Sequence, residues 1–340
     1  MRELNIAMIG TGFMGKAHSL AYSAMPLFFW PPPATPIRKV VVDVTDDLAS
    51  SARDRLGFAD YATDWKDVVD RPNIDVVDIC TPNNSHAEIA IAAAKAGKHI
   101  LCEKPMCINL EEADRIVEAV RKAGIIYMSA HNQLFTPAVQ EMKRMIDMGA
   151  VGSVRWIRSQ DSFILPTSVL KGQWRSTLKL QGGGELIDTG YHPTYRLLYL
   201  AGAEVAAVRG TMGRFAQPIE GEDTASVQVR FANGVIGEIF SSWVFNRPYG
   251  THDLHVVGDR GEIFGTGNLL YHLPVGFKTP SEKILKEADT FGDQMAHFAD
   301  CILTGARVPH GPEEGREVLK IILKAAESAA GWQETAQINR

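Results

Sequence analysis

Three polar side chains in this 340-residue sequence have the chemistry of an acid–base site, and the first of them is a lysine. Lys104 follows the apolar run 99–102 and precedes Pro105. A lysine held at a strand end by a neighbouring proline can hydrogen-bond a hydroxyl group and ease the loss of its proton. Taken alone, a lysine at a strand end is more often a solvated surface charge, and this alternative stays open.

The other two residues of this kind are an aspartate and a histidine. If a helix begins near Gly184, Asp188 and His192 lie four residues apart on one face of it. A carboxylate there would orient the imidazole and raise its pKa, which suits a proton acceptor from an alcohol. Pro193 removes a backbone N–H, so we expect the helix to be kinked or loosened beside His192. The spacing is equally consistent with a buried, hydrogen-bonded histidine.

A glycine-rich segment near the N-terminus has the spacing of a phosphate-binding loop between a strand and a helix. Its residues are Gly10, Thr11, Gly12, Phe13, Met14 and Gly15. The first glycine permits a tight turn, the second lets the backbone approach a pyrophosphate, and the third allows close packing of helix on strand. The N–H groups at the helix start add donors for an anion. We therefore predict that these six residues bind a dinucleotide.

Asp43 follows the second apolar run, where a carboxylate can accept the ribose hydroxyls of NAD. Its distance from Gly10 exceeds the usual spacing of about 20 residues, because a proline-rich segment lies between them. Residues 44–52 contain Asp46 and Asp47 but no Arg or Lys, so a 2′-phosphate would be repelled there. NAD is therefore favoured over NADP, and a solvated or helix-capping aspartate is the alternative.

A polar segment at 81–86 follows another apolar run. In a parallel sheet it would lie at the carboxyl edge of the strands, where ligands bind. Its side chains could reach the carboxamide or the ribose of a nicotinamide. The predicted cofactor contacts are Thr81, Pro82, Asn83 and His86. A capping turn for a helix that begins at His86 is the alternative, and both interpretations can hold at once.

Composition excludes several classes of protein. Lys plus Arg total 35 against 40 Asp plus Glu, and the formal charge of −5 does not suggest a nucleic-acid partner. No apolar run approaches the roughly 18 residues needed to span a bilayer, so we expect no membrane partner. Four cysteines without a Cys-x-x-Cys pair indicate neither a disulfide framework nor a metal site. The cysteine usage and the lack of a secretory signal pattern together favour a cytoplasmic location.

The secondary structure that must position these residues changes in type along the chain. Up to about residue 128, short β-branched runs alternate with helical patterns, as in the βαβ units of a doubly wound parallel sheet. The predicted strands are 5–9, 39–43, 76–80, 99–102 and 125–128, and the predicted helices are 14–24, 46–56, 86–96 and 110–123. We therefore expect an N-terminal α/β domain that binds its ligand at the carboxyl edge of the strands.

Beyond about residue 150, alternating runs with turn signals between them are typical of an antiparallel sheet. The predicted strands are 153–162, 204–215, 224–231, 235–243, 252–257 and 262–265, and the predicted helices are 137–149, 289–304 and 312–330. Asn233-Gly234 and the segment 258–261 predict two hairpins. These patterns indicate a C-terminal α+β domain with a large, mainly antiparallel open sheet, one face of which a second subunit can cover.

Five of the seventeen prolines fall within 26–36, beside Phe28, Phe29 and Trp30. This segment separates the first helix from the second strand, so we expect it at the amino edge of the sheet, on the far side from Lys104. We predict that its aromatic side chains pack on a neighbouring surface of the same or another subunit. Folding back over the sheet edge is the alternative.

These motifs together resemble the Gfo/Idh/MocA family of sugar and polyol dehydrogenases. The matching segments span nearly the whole chain and are GTGFMGKAH at 10–18, TPNNSH at 81–86, EKP at 103–105, WR at 174–175, GGGELIDTGYHP at 182–193 and GPEEG at 311–315. Within the family, the run 15–40 resembles levoglucosan dehydrogenase-type members. The resemblance implies an NAD-binding Rossmann domain at 1–129 and a substrate-binding domain at 130–340 whose sheet mediates homodimers or homotetramers.

The resemblance also implies roles for particular residues. Lys104, Asp188 and His192 match the family's catalytic trio. His192 would accept the hydroxyl proton, Lys104 would hydrogen-bond the same oxygen, and Asp188 would hold His192 or the substrate. Glu103 and Lys104 of the EKP motif are also assigned to the cofactor. The remaining substrate candidates are Trp174, Arg175, His131 and Asn132.

Two positions depart from the family pattern. Many members carry a further Asp three residues after the histidine, and here that residue is Tyr195. Residues 133–136 stand where many members carry an arginine before Pro137.

The motifs and the resemblance together predict an NAD-dependent oxidoreductase acting on a secondary alcohol of a cyclic sugar, anhydro-sugar or polyol. The alternatives are an inositol dehydrogenase or anhydro-sugar reductase of the family, a glucose–fructose-type oxidoreductase that retains its cofactor, and a non-catalytic NAD-binding sugar sensor.

Overall fold

The structure is a computed structural model that describes residues 2–331. The chain forms two compact units. The first comprises Met1–Pro137, Lys179–Gly182 and Lys286–Leu319, and the second comprises Ala138–Leu178, Gly183–Leu285 and the chain from Lys320 onward. These units differ from a contiguous division at residues 129 and 130, because two later segments return to the first unit. Of the predicted C-terminal domain, residues 332–340 lie outside the described residues.

The first unit is built on a six-stranded parallel sheet with the strand order β3-β2-β1-β4-β5-β6. The strands are β1 (Glu3–Ile9), β2 (Thr35–Val42), β3 (Asp60–Ala62), β4 (Val76–Ile79), β5 (His99–Cys102) and β6 (Tyr127–Ser129). The order reverses at β1, as in a doubly wound sheet. The predicted N-terminal α/β fold is confirmed. Strand β3 is not among the predicted strands, because three residues are too few to show a pattern.

Five helices connect these strands. They are α1 (Phe13–Phe28), α2 (Asp46–Leu56), α3 (Lys66–Val69), α4 (His86–Lys95) and α5 (Leu110–Ala123). The side-chain oxygens of Thr45 and Asn109 cap the starts of α2 and α5, and Gly57 and Gly124 end these helices in the left-handed conformation. Helix α1 lies wholly within the described residues. No side chain caps its start, and its first turn contains no acidic residue.

Part of the first unit's core comes from late in the chain. The remaining helices are α6 (Pro137–Asp147), α7 (Leu178–Gln181), α8 (Glu185–Asp188), α9 (Tyr191–Ala201), α10 (Thr290–Thr304) and α11 (Pro312–Ala330). Helix α10 packs against α1, and its Met295, Phe298 and Ile302 join Ile6 and Tyr22 in one buried apolar cluster. Within residues 2–331, no helix is sufficiently long and apolar to cross a bilayer.

The second unit contains an eight-stranded sheet with the order β14-β13-β12-β11-β7-β10-β9-β8. Its strands are β7 (Val154–Ser162), β8 (Val205–Gly213), β9 (Thr224–Phe231), β10 (Ile236–Ser242), β11 (Leu254–Gly258), β12 (Gly261–Thr266), β13 (Leu269–Pro274) and β14 (Ser281–Ile284). Only β7 and β10 pair in parallel among the neighbouring strands described, so the mainly antiparallel sheet and its two hairpins are confirmed. Strands β13 and β14 are missed because their side chains do not alternate clearly between buried and exposed.

The two faces of this second sheet differ. A Cβ on Gly237 of β10 would lie 2.8 Å from Leu197 of α9, so α9 covers the face that buries the neighbouring Ile157. The opposite face carries a row of half-buried rings with neighbouring centroids 5.2–5.3 Å apart. This aromatic row consists of Trp156, His255, Phe264 and Tyr271.

The proline-rich segment is shorter than the sequence suggests, because regular structure enters it from both sides. Helix α1 continues past the predicted end at residue 24 to Phe28, and β2 begins at Thr35. Thr35 pairs with Glu3, which places the segment at the amino edge of the sheet, as expected. Phe29 packs against the apolar cluster of the first unit, whereas Phe28 and Trp30 are 73% and 80% exposed.

Candidate active site

Parallel register brings four candidate segments to one edge of the first sheet. Ile9 of β1 pairs with Val42 and with Ile79 on its two sides. Ile79 in turn pairs with Cys102 of β5. The residues that follow these strand ends therefore lie in one row, and they are Gly10, Asp43, Cys80 and Glu103. This row is the carboxyl edge, where open α/β sheets bind their ligands.

The glycine loop has two crowded positions and one open position. Gly10 has a φ of +97°, and a Cβ there would lie 2.6 Å from the carbonyl oxygen of Cys80. A Cβ on Gly15 would lie 2.2 Å from the carbonyl oxygen of Gly10, whereas a Cβ on Gly12 would meet no described atom within 4 Å. The turn itself therefore requires Gly10 and Gly15. Gly12 leaves open space at the uncapped start of α1, which fits a pyrophosphate group.

Asp43 is held in place by the same loop. Its Oδ2 accepts the backbone N–H of Thr11 at 3.1 Å and also the Thr11 hydroxyl, and its Oδ1 accepts the N–H of Val44 at 2.8 Å. These bonds fix the carboxylate beside the glycine loop, where an acidic residue can accept ribose hydroxyls. The residues at this edge therefore fit NAD.

Hydrogen bonds of two buried side chains hold the turn after β4 within the first unit. His86 is buried, and its Nδ1 and Nε2 lie 2.7 Å and 2.8 Å from the carbonyl oxygens of Pro105 and Thr81. Asn83 is also buried, and its amide donates to the carbonyl of Gln181 at 2.9 Å. These contacts match the capping-turn interpretation, and contact of His86 and Asn83 with the cofactor stays a prediction. Most of the other predicted cofactor residues are half-buried or exposed, and these are Gly10, Gly12, Phe13, Met14, Asp43, Thr81, Pro82 and Lys104.

The carboxylate of Glu103 points into the first unit. Its side chain is almost fully buried; Oε1 lies 3.0 Å from Nε2 of His18, and Oε2 accepts the backbone N–H of Lys104 at 3.1 Å. Both oxygens therefore contact protein groups. The contact of Glu103 with a cofactor stays a prediction, and its described contacts hold the backbone of Lys104.

His18 and Asp78 lie next to the predicted site although neither is among the predicted site residues. Nδ1 of His18 lies 2.9 Å from Oδ1 and 3.0 Å from Oδ2 of Asp78, and the hydroxyl of Tyr22 donates to Oδ2 at 3.0 Å. All three side chains are buried. The signal available in the sequence is an aspartate inside the apolar strand 76–79, because a buried carboxylate needs a partner.

His131 and Asn132 lie directly after β6 in the first unit. His131 is 1% exposed, and its ring centroid lies 6.0 Å from that of His310. Asn132 donates to the hydroxyl of Thr290 at 3.3 Å. Burial lowers the pKa of His310 to about 4, so this part of the core holds a neutral imidazole at ordinary pH. The contacts of His131 and Asn132 with a substrate stay predictions.

Asp188 and His192 do not share one helix. Asp188 ends α8, whereas His192 is the second residue of α9. The chain passes between them at Gly190, where a Cβ would lie 2.6 Å from Oγ of Ser241. Pro193 is the third residue of α9, where a missing N–H removes no intrahelical bond. The prediction that Asp188 and His192 share one helix is therefore wrong; the helix is interrupted beside His192, as expected, but at Gly190 and not at Pro193.

Asp188 joins two other predicted substrate residues in the second unit. Its Oδ2 accepts from Nε of Arg175 at 2.8 Å, and the guanidinium carbon of Arg175 lies 4.3 Å from the ring centroid of Trp174. The Asp188 side chain is only 11% exposed. A planar guanidinium fixed by a carboxylate and a ring is a suitable group for binding the hydroxyls of a cyclic ligand.

His192 contacts the residue that departs from the family pattern. Its Nδ1 lies 2.6 Å from the hydroxyl oxygen of Tyr195, which is itself buried. A hydrogen bond at Nδ1 fixes the orientation of the ring and directs Nε2 away from Tyr195. Such an oriented imidazole is the usual form of a general base.

The start of α8 rests on buried acidic residues. The backbone N–H of Glu185 donates to the carbonyl of Glu222 at 2.8 Å, and Ser241 donates its hydroxyl to Oε2 of Glu185 at 2.5 Å. Burial raises the pKa of Glu185 well above its ordinary value, which favours a neutral carboxyl group. A Cβ on Gly184 would lie 2.1 Å from the carbonyl oxygen of Glu222. The short helix that carries Asp188 is therefore tightly anchored.

Comparison with known proteins follows the two halves of the sequence. A model of an oxidoreductase family with an NAD-binding Rossmann fold matches residues 4–131, and a model of the GFO/IDH/MocA C-terminal domain matches residues 139–264.

Individual relatives are enzymes of sugar and inositol oxidation. Levoglucosan dehydrogenase of Pseudarthrobacter phenanthrenivorans is 41% identical over 265 residues, which cover 70% of this chain and 67% of that protein. The scyllo-inositol 2-dehydrogenase (NAD(+)) of Bacillus subtilis is 30% identical over 321 residues, or 89% of this chain and 87% of that protein. A solved levoglucosan dehydrogenase in complex with NADH and levoglucosan superimposes with a TM-score of 0.90 at 33% identity, covering 97% of this chain and 98% of that one. The chain therefore belongs to the Gfo/Idh/MocA family of NAD-binding oxidoreductases.

Proposed function

We propose that this protein is an NAD-dependent dehydrogenase that oxidises a secondary alcohol of a cyclic sugar, and that anhydro-sugars such as levoglucosan are its substrate class. The observation that carries the proposal is the arrangement of Arg175 between Asp188 and Trp174 in the same unit as the His192–Tyr195 pair. An apolar pocket discriminates poorly between hydroxylated rings, so convergent polar groups of this kind suit a sugar. Similarity to levoglucosan dehydrogenases supports the narrower substrate class.

Each residue of the proposed site has a separate role in the reaction. The glycine loop and Asp43 hold NAD, which when bound accepts the hydride from the carbinol carbon. His192 accepts the proton of the reacting hydroxyl, because Tyr195 orients its ring through Nδ1. Lys104 hydrogen-bonds the same oxygen and stabilises its developing negative charge. Asp188 and Arg175 orient the ring of the substrate.

A substrate screen tests the proposal directly. Purified protein is assayed at 340 nm with NAD and with NADP against levoglucosan, other anhydro-sugars, inositols, open-chain polyols and aldoses. The proposal expects NADH formation with the highest kcat/KM for an anhydro-sugar. A higher value for an inositol would assign the protein to inositol oxidation. NAD binding without turnover on any member would indicate a sensor, and nicotinamide absorbance that survives desalting would indicate a retained cofactor.

Asp43 provides a test of the cofactor assignment. Asp43→Ala should raise the Kd for NAD about 10- to 100-fold, because hydrogen bonds to a charged group contribute roughly 1.5–3 kcal/mol. The same change should narrow the preference for NAD over NADP, since the charge facing a 2′-phosphate is removed. Titration of cofactor binding by calorimetry measures both effects.

The control for this prediction is Asp47→Ala, which removes an exposed charge from the first turn of α2 without changing the residue after β2. It should leave the Kd for NAD near the wild-type value. An unchanged NAD affinity in Asp43→Ala, with its melting temperature preserved, would refute the ribose contact.

We also propose that the protein forms homodimers or homotetramers through the second sheet. The support is the aromatic row, which lies on the face opposite α9. Exposed aromatic surface of this kind commonly marks an interface between subunits.

Phe264→Glu tests this interface, because a charge at the centre of an apolar contact is costly to desolvate. Light scattering coupled to gel filtration should show a smaller assembly for Phe264→Glu than for the wild-type protein. Trp30→Glu, which changes the exposed ring of the proline-rich segment, should keep the wild-type mass. The opposite pattern would place the interface at the proline-rich segment instead.

A further inference from the structure

Beneath the Lys104 loop, one histidine of the first unit joins two carboxylates from neighbouring strands. His18 on α1 is 0% exposed, and the ring of Phe291 from α10 packs against it with centroids 6.1 Å apart. One ring nitrogen, Nδ1, contacts both oxygens of Asp78 on β4, and the other, Nε2, contacts Oε1 of Glu103 at 3.0 Å. The ring therefore connects α1 with the ends of β4 and β5.

These contacts determine the charge of the ring. Carboxylate oxygens accept hydrogen bonds, so a ring whose two nitrogens both face carboxylates can donate from both nitrogens. Burial opposes the charge on His18, but the carboxylate of Asp78 outweighs it and holds the pKa of His18 well above its ordinary value. The hydroxyl of Tyr22 supplies Asp78 with a further donor. His18 is thus an imidazolium placed between two carboxylates.

Glu103 extends this connection to Lys104. The Glu103 oxygen that does not face His18 accepts the backbone N–H of Lys104 at 3.1 Å. His18 itself lies in the second turn of α1, directly after the turn that begins at the glycine loop. Two successive hydrogen bonds therefore join the helix of the cofactor loop to the backbone of Lys104.

We infer that His18 is a positioning residue, which fixes the backbone of Lys104 relative to the start of α1 so that the acid–base group and the cofactor keep one spacing. The inference rests on the proposed role of Lys104 and adds a function for a side chain that is too deeply buried to touch the substrate. A displacement of about 1 Å between reacting groups can cost about 100-fold in rate. A rigid connection between the two parts of the site therefore has a direct effect on the reaction.

Metal binding is the other chemistry that this cluster suggests. His18, Asp78 and Cys80 offer three ligand atoms within 4.8 Å of one another. Burial raises the pKa of Cys80, so its sulfur stays a thiol, whereas metals bind the thiolate. Both nitrogens of His18 already face carboxylates. Hydrogen bonds therefore account for the arrangement.

A double-mutant cycle tests the inference. His18→Gln removes the charge and one of the two donors, and Glu103→Ala removes both hydrogen bonds of the Glu103 carboxylate from the other side of the connection. We expect kcat to fall about 10- to 100-fold in each, while in His18→Gln the Kd for NAD and the KM for the sugar change by less than about threefold. The double variant should be no slower than the slower single variant, because both changes interrupt one path.

A matched control separates positioning from stability. His99 lies at the start of β5, away from Lys104, and its Nδ1 accepts the N–H of Ile126 at 3.0 Å. His99→Gln should lower the melting temperature and leave kcat unchanged. A lowered melting temperature with wild-type kcat in His18→Gln would overturn the inference, and so would additive losses in the double variant. If His18→Gln does not fold, Glu103→Ala alone tests the inference, and an unchanged kcat in that variant overturns it.

Lys104→Ala distinguishes this inference from the proposed function. If Lys104→Ala keeps its activity, the role of Lys104 is wrong and the inference fails with it. If Lys104→Ala loses activity while His18→Gln keeps it, the proposed function stands and only the positioning role fails.

Discussion

Replacing Lys104 with alanine should lower kcat for the sugar about 100-fold or more, and His192→Ala should do the same, because each change removes a side chain proposed to act on the reacting hydroxyl. The KM for the sugar should change less, since the proposed contacts of Arg175 and Asp188 with the ring remain. Initial rates at 340 nm with saturating NAD measure both parameters. Melting temperatures near the wild-type value show that the variants are folded.

Two further substitutions provide a control and an intermediate case for this prediction. Lys95→Ala removes an exposed lysine from α4 and should keep wild-type kinetics. Tyr195→Phe keeps the ring but removes the hydroxyl bonded to His192, so its loss of kcat should be smaller than that of His192→Ala. Activity within about threefold of wild type in both Lys104→Ala and His192→Ala would remove these residues from the mechanism.

The second large effect concerns Gly12 and Gly15 of the glycine loop, where a side chain is excluded for two different reasons. Gly15→Ala destabilises the protein without cofactor by about 1–3 kcal/mol or more, because its Cβ would lie 2.2 Å from a backbone carbonyl oxygen. Gly12→Ala leaves the stability nearly unchanged, since its Cβ meets no described atom within 4 Å. A methyl group there occupies the space proposed for the pyrophosphate, so the Kd for NAD rises about tenfold or more.

Urea unfolding without cofactor and a binding titration with NAD separate the two effects. Gly15→Ala should lower the urea midpoint, and Gly12→Ala should keep it. Equal stability of both variants would show that the carbonyl contact at Gly15 relaxes easily. Wild-type NAD affinity in Gly12→Ala would place the pyrophosphate elsewhere.

The first sheet could be predicted from the sequence because local pattern and topology agree there. Continuous apolar runs such as 99–102 can only be buried parallel strands once helices separate them, and the carboxyl edge follows from that topology. The return of α10 to the first unit could not be predicted. Phe298 and Tyr22 belong to one apolar cluster although most of the chain separates them, and no local pattern encodes a partner so far away.

The residue types of the candidate site could be predicted from the sequence, but most of the contacts between these residues could not. The pairing of Asp188 with Arg175 depends on a tertiary fold that no spacing reveals. The break falls at Gly190, a weak helix former whose backbone lies so close to Ser241 that a Cβ would not fit, and this close packing could not be predicted from the sequence. His18 and Asp78 were missed for a similar reason, since 60 residues separate two groups that hydrogen-bond directly.

The late arrival of α10 has a consequence for synthesis of the chain on the ribosome. The strands of the first sheet are complete at Ser129, but Met295, Phe298 and Ile302 complete the apolar cluster on which α1 rests. At about 5–20 residues per second, roughly ten to thirty seconds pass between these two points. Throughout that interval, the nascent first sheet has apolar surface that its own helix has yet to cover. A fragment ending near residue 130 keeps that surface permanently, and it should bind chaperones or aggregate where the full chain folds.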